Sequence, residues 1–112
     1  EHLGTKLVVV MGHKKCGAVA AAIQGGHLPG NLPQVVEPIE PSVEAAKGLC
    51  GDHQDNATVL NVRRMAKLLV NRSEIVRERV KKKSVLVLPM YYDLETGVAA
   101  QAQTNSVTVY SP

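Results

Sequence analysis

Apolar residues fall along the chain in two kinds of pattern. Leu7-Val8-Val9-Val10-Met11 is an unbroken, mostly β-branched apolar run that stops at Gly12. Such a run predicts a strand covered on both faces, which favours a parallel sheet. Over residues 52–71 the spacing becomes helical: Val59, Val62, Met65, Ala66 and Leu69 form one stripe, while Ala57, Leu60 and Arg64 share another side. Asp52 is placed to cap the start of this helix, and Ser73 to cap a second one running from Glu74 to about Val80.

Shorter elements fill the remainder. Residues 16–24 are Ala-rich and predict a short helix stopped by Gly25-Gly26. Pro33, Pro38 and Pro41 limit residues 30–41 to short helical pieces, with Pro33 tolerable in a first turn. Residues 42–47 predict a brief helix ending at Gly48. Residues 85–92 predict a second strand, in which Pro89 removes a ladder donor and points to an edge or a bulge. Asp93 to Gly97 reads as a turn, with Asp93 bonding backbone amides, and residues 98–102 as the return strand of a hairpin. In the polar tail, Val107-Thr108-Val109 is a short β-like stretch. This order predicts an α/β fold over residues 1–112: a parallel-sheet core flanked by helices, with a C-terminal β-hairpin, in one domain.

Composition narrows the picture. With three Tyr and no Phe or Trp, the core has to be aliphatic. The net charge of +3 is small, and the basic run over residues 77–83 lies at a predicted helix end, where cations complement the dipole. No stacking aromatics accompany it, so no nucleic-acid partner is expected. No apolar stretch is long enough to span a membrane and no secretory leader is visible, so no membrane association is expected either. Two cysteines, Cys16 and Cys50, imply no disulfide framework and suit a reducing cytoplasm. The first residue is Glu1 rather than Met, which leads us to expect a chain that starts mid-domain or was trimmed.

The segment with the most chemistry is Gly12-His13-Lys14-Lys15-Cys16-Gly17-Ala18-Val19. Ligands of open α/β sheets bind at the carboxyl ends of strands. There, a spacing of three lets one turn bring the His13 imidazole and the Cys16 thiolate toward one point. That donor pair suits zinc, at typical lengths of ~2.0 Å to nitrogen and ~2.3 Å to sulfur. The helix terminus, with Lys14 and Lys15, should favour the thiolate, and Gly12 and Gly17 should leave room for the ion. By spacing alone a His-x-x-Cys pair says little. The strand before it and the helix after it give it the setting of a site.

The segment resembles the second zinc motif of β-class carbonic anhydrases. The resemblance continues through Glu1-His2-Leu3-Gly4, Pro41-Ser42-Val43-Glu44-Ala45-Ala46, Gly51-Asp52, Asn61-Val62-Arg63, Arg72-Ser73-Glu74-Ile75-Val76 and Tyr91-Tyr92-Asp93-Leu94-Glu95-Thr96-Gly97, roughly residues 1–102. It implies a zinc enzyme that interconverts carbon dioxide and bicarbonate, a carbonate dehydratase and therefore a lyase, assembled as a homodimer or larger homo-oligomer. It also implies that His13 and Cys16 are two of three zinc ligands. The third belongs to a Cys-x-Asp-x-Arg motif that does not occur in these 112 residues, so the family's Asp–Arg pair has no counterpart among them and no catalytic residue is assigned. Pro89 and Met90 depart from the small residues usual in the family before Tyr91. Zinc lowers the pKa of a bound water to ~7, which supplies hydroxide for addition to carbon dioxide. With two ligands the isolated chain is expected to bind zinc poorly and to catalyse little. Two other readings stand beside this one. One is a non-catalytic assembly module that keeps the fold. The other is a small structural zinc domain using His13, Cys16, Cys50 and His53, since Cys50-Gly51-Asp52-His53 supplies a second donor pair.

Overall fold

A computed structural model describes residues 1–103. Strand β1 (Leu7–His13) is followed by α1 (Gly17–Gln24), α2 (Leu32–Val36), a 3-10 turn (Glu37–Ile39), α3 (Glu40–Ala46), the long α4 (His53–Arg72), α5 (Glu74–Lys81), β2 (Leu86–Tyr92) and β3 (Ala99–Gln101). The strands form one sheet in the order β1-β2-β3. β1 and β2 are parallel, from Leu7 opposite Leu86 to His13 opposite Tyr92, and β3 returns antiparallel to β2. The expected α/β fold is therefore present, with a mixed sheet. Val107-Thr108-Val109 lies outside the described residues.

Local chemistry sets the helix boundaries. Asp52 caps α4 by accepting from the Asp55 N–H at 2.9 Å, and Ser73 Oγ accepts from the Val76 N–H at 3.3 Å at the start of α5. The proline-rich stretch is helical in short pieces, with a proline in the first turn of each.

α4 joins two apolar clusters because it is apolar on two sides. Ala57, fully buried, packs with Val19, Ile39, Val43 and Ala46, while Leu60 covers the same cluster. Val59 and Val62 face the sheet and pack with Val10, Tyr91 and Ala102. The two predicted sides of this helix thus serve two different partners. Arg64, predicted beside Ala57 and Leu60, donates from Nη1 to the Pro38 carbonyl at 2.9 Å.

Two expectations are corrected. Among the described residues β1 is covered on one face only: Leu7 and Met11 are 51% and 52% exposed, and Val9 and Leu86 are exposed beside them. Only the face that carries Val10 and Gly12 meets α4. An all-apolar run cannot say which face is covered, since every position satisfies either arrangement. Pro89, in turn, lies in the central strand of the sheet without a break in register. The Leu86 N–H donates toward β1, to the Lys6 carbonyl. Strand alternation then turns Pro89 toward β3, where its carbonyl accepts from the Ala102 N–H at 3.0 Å. The reciprocal bond is missing, and the β2–β3 ladder ends there. The proline thus limits the hairpin's length without pushing its strand to an edge.

Candidate metal centre

β1 ends at His13, and the chain turns through Lys14 and Lys15 to reach Cys16 at the N-cap of α1. Lys15 takes a left-handed conformation, φ 55°, which lets a two-residue turn redirect the chain from strand to helix. His13 is exposed, on the same face of β1 as Leu7, Val9 and Met11. Cys16 is half-buried and packs against the cluster of Val19, Ile39, Val43, Ala46 and Ala57.

Three neighbours hold this turn. The Lys14 N–H donates to the Tyr92 carbonyl at 2.9 Å, extending the β1–β2 pairing past His13. Gln54, in the first turn of α4, donates from Nε2 to the Cys16 carbonyl at 3.1 Å. The side chains of Lys14 and Lys15 reach the hairpin: Lys14 Nζ lies 3.2 Å from Glu95 Oε2 and 4.0 Å from Asp93 Oδ2, and Lys15 Nζ lies 2.8 Å from Glu95 Oε1. The hydrogen bonds from Lys15 and Lys14 lower the Glu95 pKa, and Glu95, followed by Asp93, raises that of Lys14. The two ammonium groups are thus engaged by carboxylates, rather than held for the Cys16 sulfur as the sequence suggested.

Asp93 takes the turn role expected of it. Its Oδ1 accepts from the Glu95 and Thr96 N–H groups, and its carbonyl accepts from the Gly97 N–H at 2.8 Å. The contact with Lys14 was not foreseen. Its signal in the sequence is only a pair of lysines and a pair of carboxylates of opposite sign, 81 residues apart between Lys14 and Glu95.

The His13 ring has a defined orientation. Its Nδ1 lies 3.0 Å from the Lys14 carbonyl. A carbonyl only accepts, so this contact calls for a proton on Nδ1, and in the neutral ring that leaves the lone pair on Nε2. In ligating histidines the nitrogen away from the metal is held in this way.

Gly12 has a different task from the one expected. A Cβ here would run into Val62 Cγ2 and come within 3.2 Å of Thr58 Cγ2. The glycine makes room for α4, not for an ion. Among the described residues nothing lies within 4 Å of a Cβ at Gly17.

His13 and Cys16 are donors of the kind that zinc takes, but a zinc site needs three or four protein ligands. Among the described residues no group of three or more His, Cys, Asp or Glu side chains is gathered to hold a metal ion. The donors fit zinc in kind and fall short in number. The four-donor structural site is corrected on the same ground. Cys50 is an exposed thiol in the loop before α4, where its carbonyl accepts from Asn56 Nδ2 at 2.9 Å. His53 is committed to the first turn of α4, so the pair serves the helix start and does not join His13 and Cys16.

The sequence model of the family described as "Carbonic anhydrase" matches residues 1–99. This chain belongs to the β-carbonic anhydrase family. Carbonic anhydrase 2 of Mycobacterium tuberculosis, in each of two strains, is 35% identical over 101 residues, covering 87% of this chain and 49% of that protein. The chain thus spans about half the length of the curated relatives it matches. Among solved structures, one of two tetrameric β-carbonic anhydrases from the filamentous ascomycete Sordaria macrospora superposes with a TM-score of 0.78 at 24% identity, over 89% of this chain and 53% of that one. The Coccomyxa β-carbonic anhydrase in complex with acetazolamide gives 0.71 at 24% identity, over 90% and 48%. At such identities the superpositions show the β-carbonic anhydrase fold. Among the described residues no helix is long and apolar enough to cross a membrane.

Proposed function

We propose that the complete protein is a zinc-dependent carbonate dehydratase, interconverting carbon dioxide and bicarbonate, and that this chain contributes two of its zinc ligands, His13 and Cys16. The observation that carries the reading is the held turn at the carboxyl end of β1. His13 and Cys16 flank a turn that bonds β2, α4 and the hairpin, within the segment the family model matches. Zinc, when bound, acts as the Lewis acid that provides a nucleophile from water at neutral pH. The chain's own part is to favour the His13 tautomer with a free Nε2, to seat Cys16 at a helix start, and to brace the turn that joins them. The third ligand comes from outside these 112 residues.

The exposed apolar face of Leu7, Val9, Met11 and Leu86 supports assembly with further protein, in keeping with the tetrameric relatives. We place the protein in the cytoplasm, where its two free thiols suit a reducing milieu. A non-catalytic assembly module is the second reading, supported by the exposed apolar face of β1. Stopped-flow carbon dioxide hydration separates the two. The complete protein loaded with zinc should be active and lose activity in Cys16→Ser, while the 112-residue chain alone should be inactive. An inactive complete protein, with its zinc bound, would favour the assembly module.

A further inference from the structure

We propose that Glu95 and Asp93, on the β2–β3 hairpin, are positioning residues for His13, acting through Lys14. Lys14 is bound on three sides. Its N–H donates to the Tyr92 carbonyl, its carbonyl accepts from His13 Nδ1 at 3.0 Å, and its Nζ meets Glu95 at 3.2 Å and Asp93 at 4.0 Å. The Lys14 N–H, in the peptide that joins it to His13, is held by β2, and its carbonyl belongs to the next peptide, Lys14–Lys15, whose two flanking side chains are held by the hairpin carboxylates. That peptide presents the acceptor that selects the His13 tautomer.

Glu95 also bonds Lys15, the residue in the left-handed conformation, at 2.8 Å, so one carboxylate spans both residues of the turn between His13 and Cys16. Asp93 makes the device stiff. Its Oδ1 and carbonyl fold the hairpin turn on itself, which fixes where Glu95 is presented. Exposed ion pairs are individually weak. Here their effect is geometric, the choice between two ring tautomers of similar energy, so a small bias gives a measurable change.

The significance of this device for catalysis rests on the zinc reading above, but its existence does not. The test therefore uses the metal-free chain. Nitrogen-15 shifts of the imidazoles at about pH 8.5, well above the ordinary histidine range near 6.5, report the neutral tautomers directly. His13 should be mainly Nδ1–H, and the exposed His27 serves as the reference within the same molecule. Glu95→Gln should move the His13 balance toward that of His27 by about two- to five-fold, the range open to an exposed ion pair, and Glu95→Asp should restore most of it. The unmodified chain in about 1 M salt should move in the same direction, because screening weakens the same pairs. Amide protection in α4 verifies that the fold is kept. The proposal is overturned if neither Glu95→Gln nor salt moves the His13 balance. It is equally overturned if Glu44→Gln, which breaks the unrelated Glu44–Lys47 pair, moves it as far. Loss of the zinc assignment, with Cys16 sparing the metal, would leave this result untouched.

Discussion

Gly12 and Val62 share one space: the side chain that Gly12 lacks would occupy the position of Val62 Cγ2. This contact sets the distance between β1 and α4, and so the position of Gln54, which α4 presents to the Cys16 carbonyl. Gly12→Ala is expected to destabilise the chain by about 1–3 kcal/mol through overpacking. Val62→Ala in the same chain should recover part of the loss, because the offending methyl is removed. Urea denaturation of the two single variants and the double variant gives the coupling. Additive losses would mean that the contact does not set the spacing.

Tyr91 donates to Asp55 Oδ1 at 3.0 Å from the cluster between sheet and α4. Burial first, then the hydrogen bond to Asp55, raises its pKa above the ordinary 10.0. The folded state therefore holds this proton more tightly than the unfolded state does. The stabilisation is complete below about pH 10 and falls as pH rises above it. Tyr91→Phe should cost about 1.5 kcal/mol at neutral pH and should lose less stability than the parent on going to alkaline pH. A denaturation series from neutral to alkaline pH measures both. Parallel stability curves for the two proteins would refute the assignment.

Asp52 caps the helix that carries Gln54, Asp55, Thr58 and Val62. Asp52→Ala should cost about 1 kcal/mol and Asp52→Asn much less, since either side chain can accept from the Asp55 N–H. The thermal midpoint is the readout. Equal losses in both variants would show that charge, rather than the cap hydrogen bond, is what matters.

The caps were legible in the sequence, as were α4 and α5, the two main strands and the Asp93 turn, for a common reason. In each, the signal that predicts the element, a run, a periodicity or a capping side chain, lies within one continuous stretch of chain. What the sequence hid depends on what stands opposite. Gly12 reads as free space until Val62 is seen across from it. Pro89 reads as an edge residue until β3 is seen to end beside it. The Leu7–Met11 run implies two covered faces, yet only one meets α4. Of the candidate site, His13 and Cys16 were legible as donors. Lys14, Glu95, Asp93 and Gln54 were not, because their bonds cross between elements distant in the chain.

The exposed apolar face of β1 leads to a prediction about association. Leu7, Val9, Met11 and Leu86 lie together on one face of the sheet, and β1 has β2 as its one neighbour among the described residues. Such an edge and face invite pairing with further protein. Sedimentation equilibrium at micromolar concentration should show a dimer or larger species, and Val9→Asp should shift it toward monomer. A cooperative, well-folded monomer in the parent chain would contradict this.

The central claim is that His13 and Cys16 are zinc ligands completed by a third residue from outside this chain. X-ray absorption at the zinc edge of the zinc-loaded complete protein tests it most directly. The account predicts two sulfurs at ~2.3 Å and, at ~2.0 Å, the His13 nitrogen beside the oxygen of a bound water, with one sulfur lost in Cys16→Ser and the imidazole contribution lost in His13→Ala. Zinc whose coordination is unchanged by both substitutions would contradict it.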